Sequence, residues 1–530
     1  MRRLCHRLRL TRQISSFGVM CAYSMEGQAE NAVVSTSQSE TTRRRKGSKH
    51  DKTGCLTCRY RRKKCVENTF PTCGSCARLN LKCVRSSTRD VVPTTWVGQK
   101  QPFKQTEPTS TTSNVPESSS SFPLCSPTPT GDHAEPPQKR QVMRYYITVL
   151  CHYLTASEQF NSFLSAFLPM AMESNVLYDA LVAFASGHLS LSNKSYRVTA
   201  LKAHSTAISN FATALSAPQP HITWYETQAA TCLAFVIGEV SRGDNHGWST
   251  HLHGAKLLIE SAAVNTSTGV VLRGPDVFKK SSEGQWILRN FAYHDIIGSV
   301  TLRRRPLLDC SYLDGITDVV DTYLGVATDL LRHVATLGVL DEETKLEPEL
   351  AAEDTSKRKA LFHVTCIKVE QDLQHWQCRH DAPPELAAMA YAFRSAVLII
   401  LYRLIRDRLA SECDGKGERF AATGWDILPT KIRTQVSNIL RHVSDISIGS
   451  HTESAILFPL FLAGSEATED GHMDAVRVRL QMTLQKRQFQ NIARSLTILE
   501  DLWQRRQAAG GGRVDWTDIL DETGEHLLLT

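Results

Sequence analysis

The chain has 530 residues, 42% hydrophobic and 22% charged, so it is long enough for more than one folded unit and too apolar to be disordered throughout. Its formal net charge of +7 is unevenly spread: residues 43–89 hold fifteen Lys and Arg against Asp51 and Glu67, a block of +13, while residues 1–42 add +2 and the remainder carries −8. A basic head on an acidic body calls for a polyanionic partner for the head, because Lys and Arg clusters displace counterions from phosphate backbones. Nine of the fifteen cysteines are scattered singly, which excludes a secreted disulfide scaffold.

From the N terminus, Arg2, Arg3, Arg7, Arg9 and Arg12 precede the first acid, Glu26. Mitochondrial presequences share that composition, and Met25 offers a second start, but the segment is read as an unstructured leader. Residues 26–52 are polar and basic without an apolar period, so 1–52 is predicted to be a disordered basic region. Within it Arg43–Lys46 and Lys49 have the composition of a nuclear import signal or a phosphate-contacting arm.

Six cysteines follow within 29 residues: Cys55, Cys58 and Cys65, then Cys73, Cys76 and Cys83, each half spaced C-x2-C-x6-C. A pair two residues apart clamps a metal from one turn, and on a helix Cys58 and Cys65 share a face, so each half presents three thiolates inward. Six thiolates exceed one tetrahedral zinc and fall short of two separate ones. The count closes if two sulfurs bridge a pair of Zn²⁺ ions, each then having two bridging and two terminal ligands. Such a filled site holds structure and activates no water, and a segment this small depends on metal to fold. A metallothionein-like store or an iron–sulfur site would leave the interleaved Arg and Lys unexplained.

The block resembles the fungal zinc binuclear cluster (Zn2Cys6) DNA-binding family in its six cysteines, in Arg59 after the second, in the basic run before the third and in Pro71 two residues before the fourth. The resemblance implies two Zn²⁺, with Cys55 and Cys73 as bridging ligands, and a first helix whose end enters the major groove. Arg62 stands where family members usually have Lys; it keeps the charge and can fork to guanine O6 and N7. Arg61 and Arg62 are assigned to bases. Arg59, Lys63, Lys64 and Arg78 are assigned to phosphates, Arg59 and Lys63 lying one helical turn apart. The expected targets are CGG-like motifs.

Ser86–Pro137 is rich in Ser, Thr and Pro and cannot sustain a core, so 87–138 is predicted to be a disordered linker, with no heptad pattern to mark a coiled coil. From Val142 onward apolar residues recur at helical spacing: Leu177, Leu181, Phe184 and His188 form one stripe with Ser174 as N-cap, and Ile492, Leu496, Leu499 and Trp503 another. Residues 265–285 and 341–356 are expected loops. The strongest apolar run, Ala396–Leu401, sits between Arg394 and Arg403 and is read as too short to span a membrane.

His246, His251 and His253 cluster, but an i, i+2 pair faces different sides of a helix and no acid completes a ligand set, so packing is the reading. Arg303–Arg305 reads as a solvated turn, and no phosphate-cradling loop or nucleophile elbow stands out. Val514–Thr530 mixes acids with Trp516, Ile519, Leu520 and Leu527–Leu529. Its helical spacing favours a docked final helix over an activation segment.

The body also resembles the fungal-specific transcription factor domain, through Gly243-Asp244 to Trp248, His251-Leu252 to Ile259, Phe291 to Ser299, Leu502-Trp503 and Asp515-Trp516. That resemblance implies an α-helical domain that senses an effector or dimerises. The expected chain is thus a small zinc-stabilised Zn2Cys6 module (53–86) and a large all-α regulatory domain (139–530), joined by a disordered linker. Its expected role is a nuclear, non-enzymatic transcription regulator of RNA polymerase II promoters. Expected partners are double-stranded DNA, a second copy of the chain and transcriptional coregulators, with no membrane. The rival reading is a metal-handling or enzymatic protein with a basic tail.

Overall fold

The computed structural model describes residues 72–77, 137–219, 221–244, 246–265, 269–345, 352–413, 427–510 and 514–530. The expected leader and most of the expected module and linker lie outside them. The chain divides into two compact units, one of which contains the cysteine block. In that unit a single turn, α1 (Gly74–Ala77), is described.

The other unit is helical. Its first helix among the described residues, α2 (Pro137–Tyr145), starts within the last two positions expected of the linker, because proline fits the first turn of a helix, where its missing N–H costs nothing. Next come α3 (Asn175–Ser192), α4 (Arg197–Ser216), α5 (Ile222–Arg242) and α6 (Gly247–Ser261). The Ser174 side chain accepts the Leu177 N–H at 3.4 Å, and Leu177, Leu181, Phe184 and His188 are all buried, as their stripe predicts.

α5 is buried along most of its length and packs on α3 and α6. The His221 ring accepts the Trp224 N–H at 3.1 Å at its start, and Gly243, at φ 74°, ends it in the left-handed conformation that glycine adopts without strain.

The expected loop 265–285 carries more structure than its polarity suggested. Ala263–Asn265 (β1) pairs antiparallel with Val271–Arg273 (β2), Val264 opposite Leu272, and a helical turn covers Pro275–Phe278. This small hairpin departs from a purely helical domain. α7 (Ser282–Thr301) begins inside that same segment, capped by the Ser281 hydroxyl on the Gly284 N–H at 2.9 Å. Likewise α8 (Leu331–Lys345) and α9 (Ala352–His375) extend into the expected loop 341–356 from both sides.

At Gly284 a methyl group would overlap the Phe278 carbonyl oxygen and come within 2.7 Å of Glu226 Oε1. Gly284→Ala is therefore expected to cost about 1–3 kcal/mol by overpacking, although Gly→Ala at an open helical site would stabilise. Urea unfolding checks the sign.

The second half is built around α10 (Pro384–Cys413), which packs against α9, α11 (Leu428–Ser444) and α12 (Leu457–Glu466). Contrary to the sequence reading, its segment Pro384–Ala410 is long and apolar enough to cross a membrane. Basic residues had made the apolar run look short. In the fold, 83% of the apolar window is buried inside the protein, and Arg403 within it is ion-paired to Glu466 and Asp515, which makes it a core helix. α13 (Asp470–Arg487), α14 (Gln490–Ala508) and α15 (Trp516–Thr523) complete the layer.

The C-terminal segment docks, as its apolar spacing suggested. Asp515 and Asp518 form a reciprocal capping box, and Trp516, Ile519, Leu520 and Leu527–Leu529 are buried.

Candidate functional site

Cys73 and Cys76 are the ligand candidates that fall among the described residues, and both are completely buried. The Cys73 carbonyl accepts the N–H groups of Cys76 and Ala77, each at 2.9 Å, which closes one helical turn. Residues three apart on a turn are neighbours, so the backbone brings the two thiols to one side. Neither forms a disulfide. Two reduced, buried thiols on one turn are the donor set that a tetrahedral zinc site draws from one half of such a block. Cys55, Cys58, Cys65 and Cys83, and the basic residues Arg59, Arg61, Arg62, Lys63, Lys64 and Arg78, lie outside the described residues.

The histidines of the body do not converge. Buried His251 places Nε2 3.1 Å from Glu239 Oε1 on α5, His253 faces the carbonyl of Ser249, and His246 stacks edge-on against His526. No group of three metal-ligating side chains forms among the described residues. The acid beside His251 comes from the preceding helix, which is why the local spacing did not show it.

The run Arg303–Arg305 is a turn with Arg303 and Arg305 exposed, as expected, but Arg304 and Arg305 are ion-paired and Arg304 is half-buried. Arg304 reaches Asp295 at 3.1 Å, Arg305 pairs with Glu342, and the Arg303 carbonyl accepts from Lys345 at 2.9 Å. Burial pushes the Asp295 carboxyl up despite Arg304, and its other oxygen accepts the Leu307 N–H at 2.7 Å. The run is a buttress tying α7 to the chain that follows it.

The recurring patterns of the body now have physical roles. Gly243 ends α5, and Asp244 Oδ1 accepts the N–H groups of His246 and Gly247 at 2.9 and 2.8 Å, which starts α6. Trp248 donates from Nε1 to the His526 carbonyl at 3.1 Å, holding the C-terminal segment. Trp503 donates to the Gly464 carbonyl at 2.9 Å, joining α14 to α12. Such residues build a framework rather than a reaction centre.

The chain belongs to the family described as the fungal specific transcription factor domain, whose model matches residues 141–530. Residues 53–90 match the fungal Zn(2)-Cys(6) binuclear cluster domain. Over 89% of its length the chain is similar, at 21% identity, to the transcriptional activator protein UGA3 of Saccharomyces cerevisiae, of which the match covers 97%. No solved structure matches it. The protein is a fungal Zn2Cys6 transcription factor, and not an enzyme.

Proposed function

We propose that the protein is a zinc-dependent, sequence-specific regulator of RNA polymerase II promoters that works in the nucleus and reads CGG-like motifs. Two Zn²⁺ are held by Cys55, Cys58, Cys65, Cys73, Cys76 and Cys83. The observation that carries this reading is the buried Cys73–Cys76 pair inside the matched cluster domain, set in a block of charge +13. Metal fixes the short segment, and the fixed segment aims its cations at a duplex. Arg61 and Arg62 contact bases; Arg59, Lys63, Lys64 and Arg78 contact phosphates.

In this reading the chain is laid out as a basic arm (1–52), a cluster module (53–86), a linker (87–138) and a regulatory domain (139–530). That domain serves pairing with a second copy and contact with coregulators.

Selection from randomised duplexes by the full-length protein with zinc tests the reading, and enrichment of no motif would end it. The two contact classes separate by salt titration on the selected site. Arg62→Ala is expected to lose about 1–3 kcal/mol and relax one base position. Lys63→Ala should weaken all sequences alike and flatten the slope of log affinity against log salt by roughly one.

A further inference from the structure

At the start of the helical unit, α2 and its continuation Tyr146–Leu150 form one wall of an open groove of about 750 Å³. The helical turn Leu168–Glu173 and the start of α3 form the other. Along the first wall the lining recurs at Lys139, Met143 and Ile147 and at Arg140, Arg144 and Thr148, two neighbouring ridges of one helix face. At 1.5 Å per residue that wall is roughly 13 Å long, about two and a half helical turns.

Both walls carry a widened turn. The Cys151 N–H bonds the Tyr146 carbonyl five residues back, and the Leu168 N–H bonds the Phe163 carbonyl in the same way. Such π-turns are rare and concentrate where a helix face serves a functional site.

Two features of the lining are not used by the fold. The first is apolar: Met172 is 70% exposed, the most of any large hydrophobic side chain among the described residues, and it shares the groove with Met143, Ile147 and Leu168. Methionine is unbranched and polarizable, and so adapts to the surface of a partner.

The second is charge. Arg140 and Arg144 lie one turn apart, both exposed, and among the described residues neither guanidinium has a hydrogen-bond or ion-pair partner. The other charged groups of the lining answer each other, since Asp179 accepts from Lys139 at 2.8 Å and from Asn210 at 2.7 Å. Glu173 follows Met172 but does not line the groove. Two uncompensated cations therefore flank an apolar floor.

We propose that this groove docks an acidic amphipathic helix of a partner protein. The open, elongated shape between two helical walls fits a helix, whereas a DNA duplex, with phosphates along its outside, has no apolar face to bury against Met172. Apolar residues of the docked helix, spaced i, i+4 and i+7, lie on Met172, Met143 and Ile147, and two carboxylates one turn apart answer Arg140 and Arg144. The inference rests on the reading that the helical domain contacts coregulators, and gives that contact a place and a chemistry. A protein that selects its DNA motif yet fails the test below refutes the groove alone.

The probe is a fluorescein-labelled, alanine-based helical peptide with three leucines at that spacing and two glutamates spaced i, i+4, titrated by anisotropy into the full-length protein. Because the block of charge +13 attracts any acidic peptide, a second peptide keeps the glutamates and carries alanine for each leucine. The first is expected to bind saturably and about tenfold or more tighter than the second. Arg140→Glu combined with Arg144→Glu, and separately Met172→Glu, should each weaken it by about tenfold or more, whereas Leu361→Glu, at another exposed apolar position on α9, leaves it unchanged. All four positions are exposed, so the variants keep their fold.

No saturable binding, equal binding of the two peptides, binding unchanged in either groove variant, an equal loss in Leu361→Glu, or displacement by unlabelled duplex would overturn the proposal. So would displacement by a peptide of residues 87–136, or a dimer that Met172→Glu dissolves, since either gives the groove to this chain itself.

Discussion

Cys73→Ser is expected to abolish sequence-specific DNA binding by the full-length protein while leaving its helical unit folded. Cys73 is fully buried and its carbonyl anchors the turn that carries Cys76, so the substitution falls on the centre of the candidate metal site. A serine hydroxyl keeps the volume but does not become a soft anionic ligand at neutral pH. In the proposed reading a module of this size has too little apolar surface to fold without metal, so losing Cys73, a bridging ligand by family resemblance, removes the folding energy itself.

Specific binding typically exceeds non-specific binding by about 10³–10⁷, and most of that ratio should vanish. The Lys and Arg of the block remain, so a residual, strongly salt-dependent affinity for any duplex should persist. Anisotropy titration at fixed salt on the selected site and on a scrambled one, with native mass spectrometry counting zinc, reads both effects. A Cys73→Ser protein that still prefers the selected site would remove the zinc-dependent reading.

What the sequence disclosed depended on how local the signal was. The cysteine block was legible as a cluster domain because its six cysteines lie within one short stretch, where spacing alone limits the geometry. The stripe Leu177, Leu181, Phe184 and His188 and its Ser174 cap were legible for the same reason, since a helix imposes one period on its own residues. The contact between His294 and Thr530 was not: the two are 236 residues apart in sequence, and the His294 segment read only as part of a family pattern.

Arg304 looked like solvated charge because its partner, Asp295, sits on the helix before it. The length of α10 was hidden by Arg394 and Arg403, which a hydropathy reading treats as interruptions. In the fold one is laid over the Tyr391 ring and the other is neutralised by carboxylates from α12 and the start of α15.

That neutralisation carries a large stability consequence. Arg403 donates through Nη2 to both carboxylate oxygens of Asp515, at 2.9 and 2.8 Å, pairs through Nη1 with Glu466, and lies over the Trp516 ring at 5.4 Å. Asp515 also accepts the Thr517 N–H at 3.0 Å, so this one guanidinium secures the cap of α15 and its seat on α12. Arg403→Met keeps much of the stem and strands two buried carboxylates beside Arg406, which alone still reaches Glu466 at 2.8 Å. Breaking one side of a buried ion pair costs roughly 3–5 kcal/mol.

The dependence on pH distinguishes this cause from lost packing. Burial on its own would raise Glu466 and Asp515, but Arg403, with Arg406 beside Glu466, holds both below the ordinary carboxylate range. Their stabilising contribution is thus complete above the unfolded values of about 3.9–4.3 and is lost as pH falls through the lower folded ones. Without Arg403 the lowering left at Glu466 comes from Arg406 and Arg506, and at Asp515 from Arg506 and the Thr517 hydrogen bonds, so both folded pKa values rise and the variant loses less stability than wild type as the carboxylates take up protons. Urea unfolding at neutral pH and at about pH 5 should therefore show the gap between the two proteins narrowing with acid. A gap that stays constant would assign the loss to the missing side-chain volume rather than to charge.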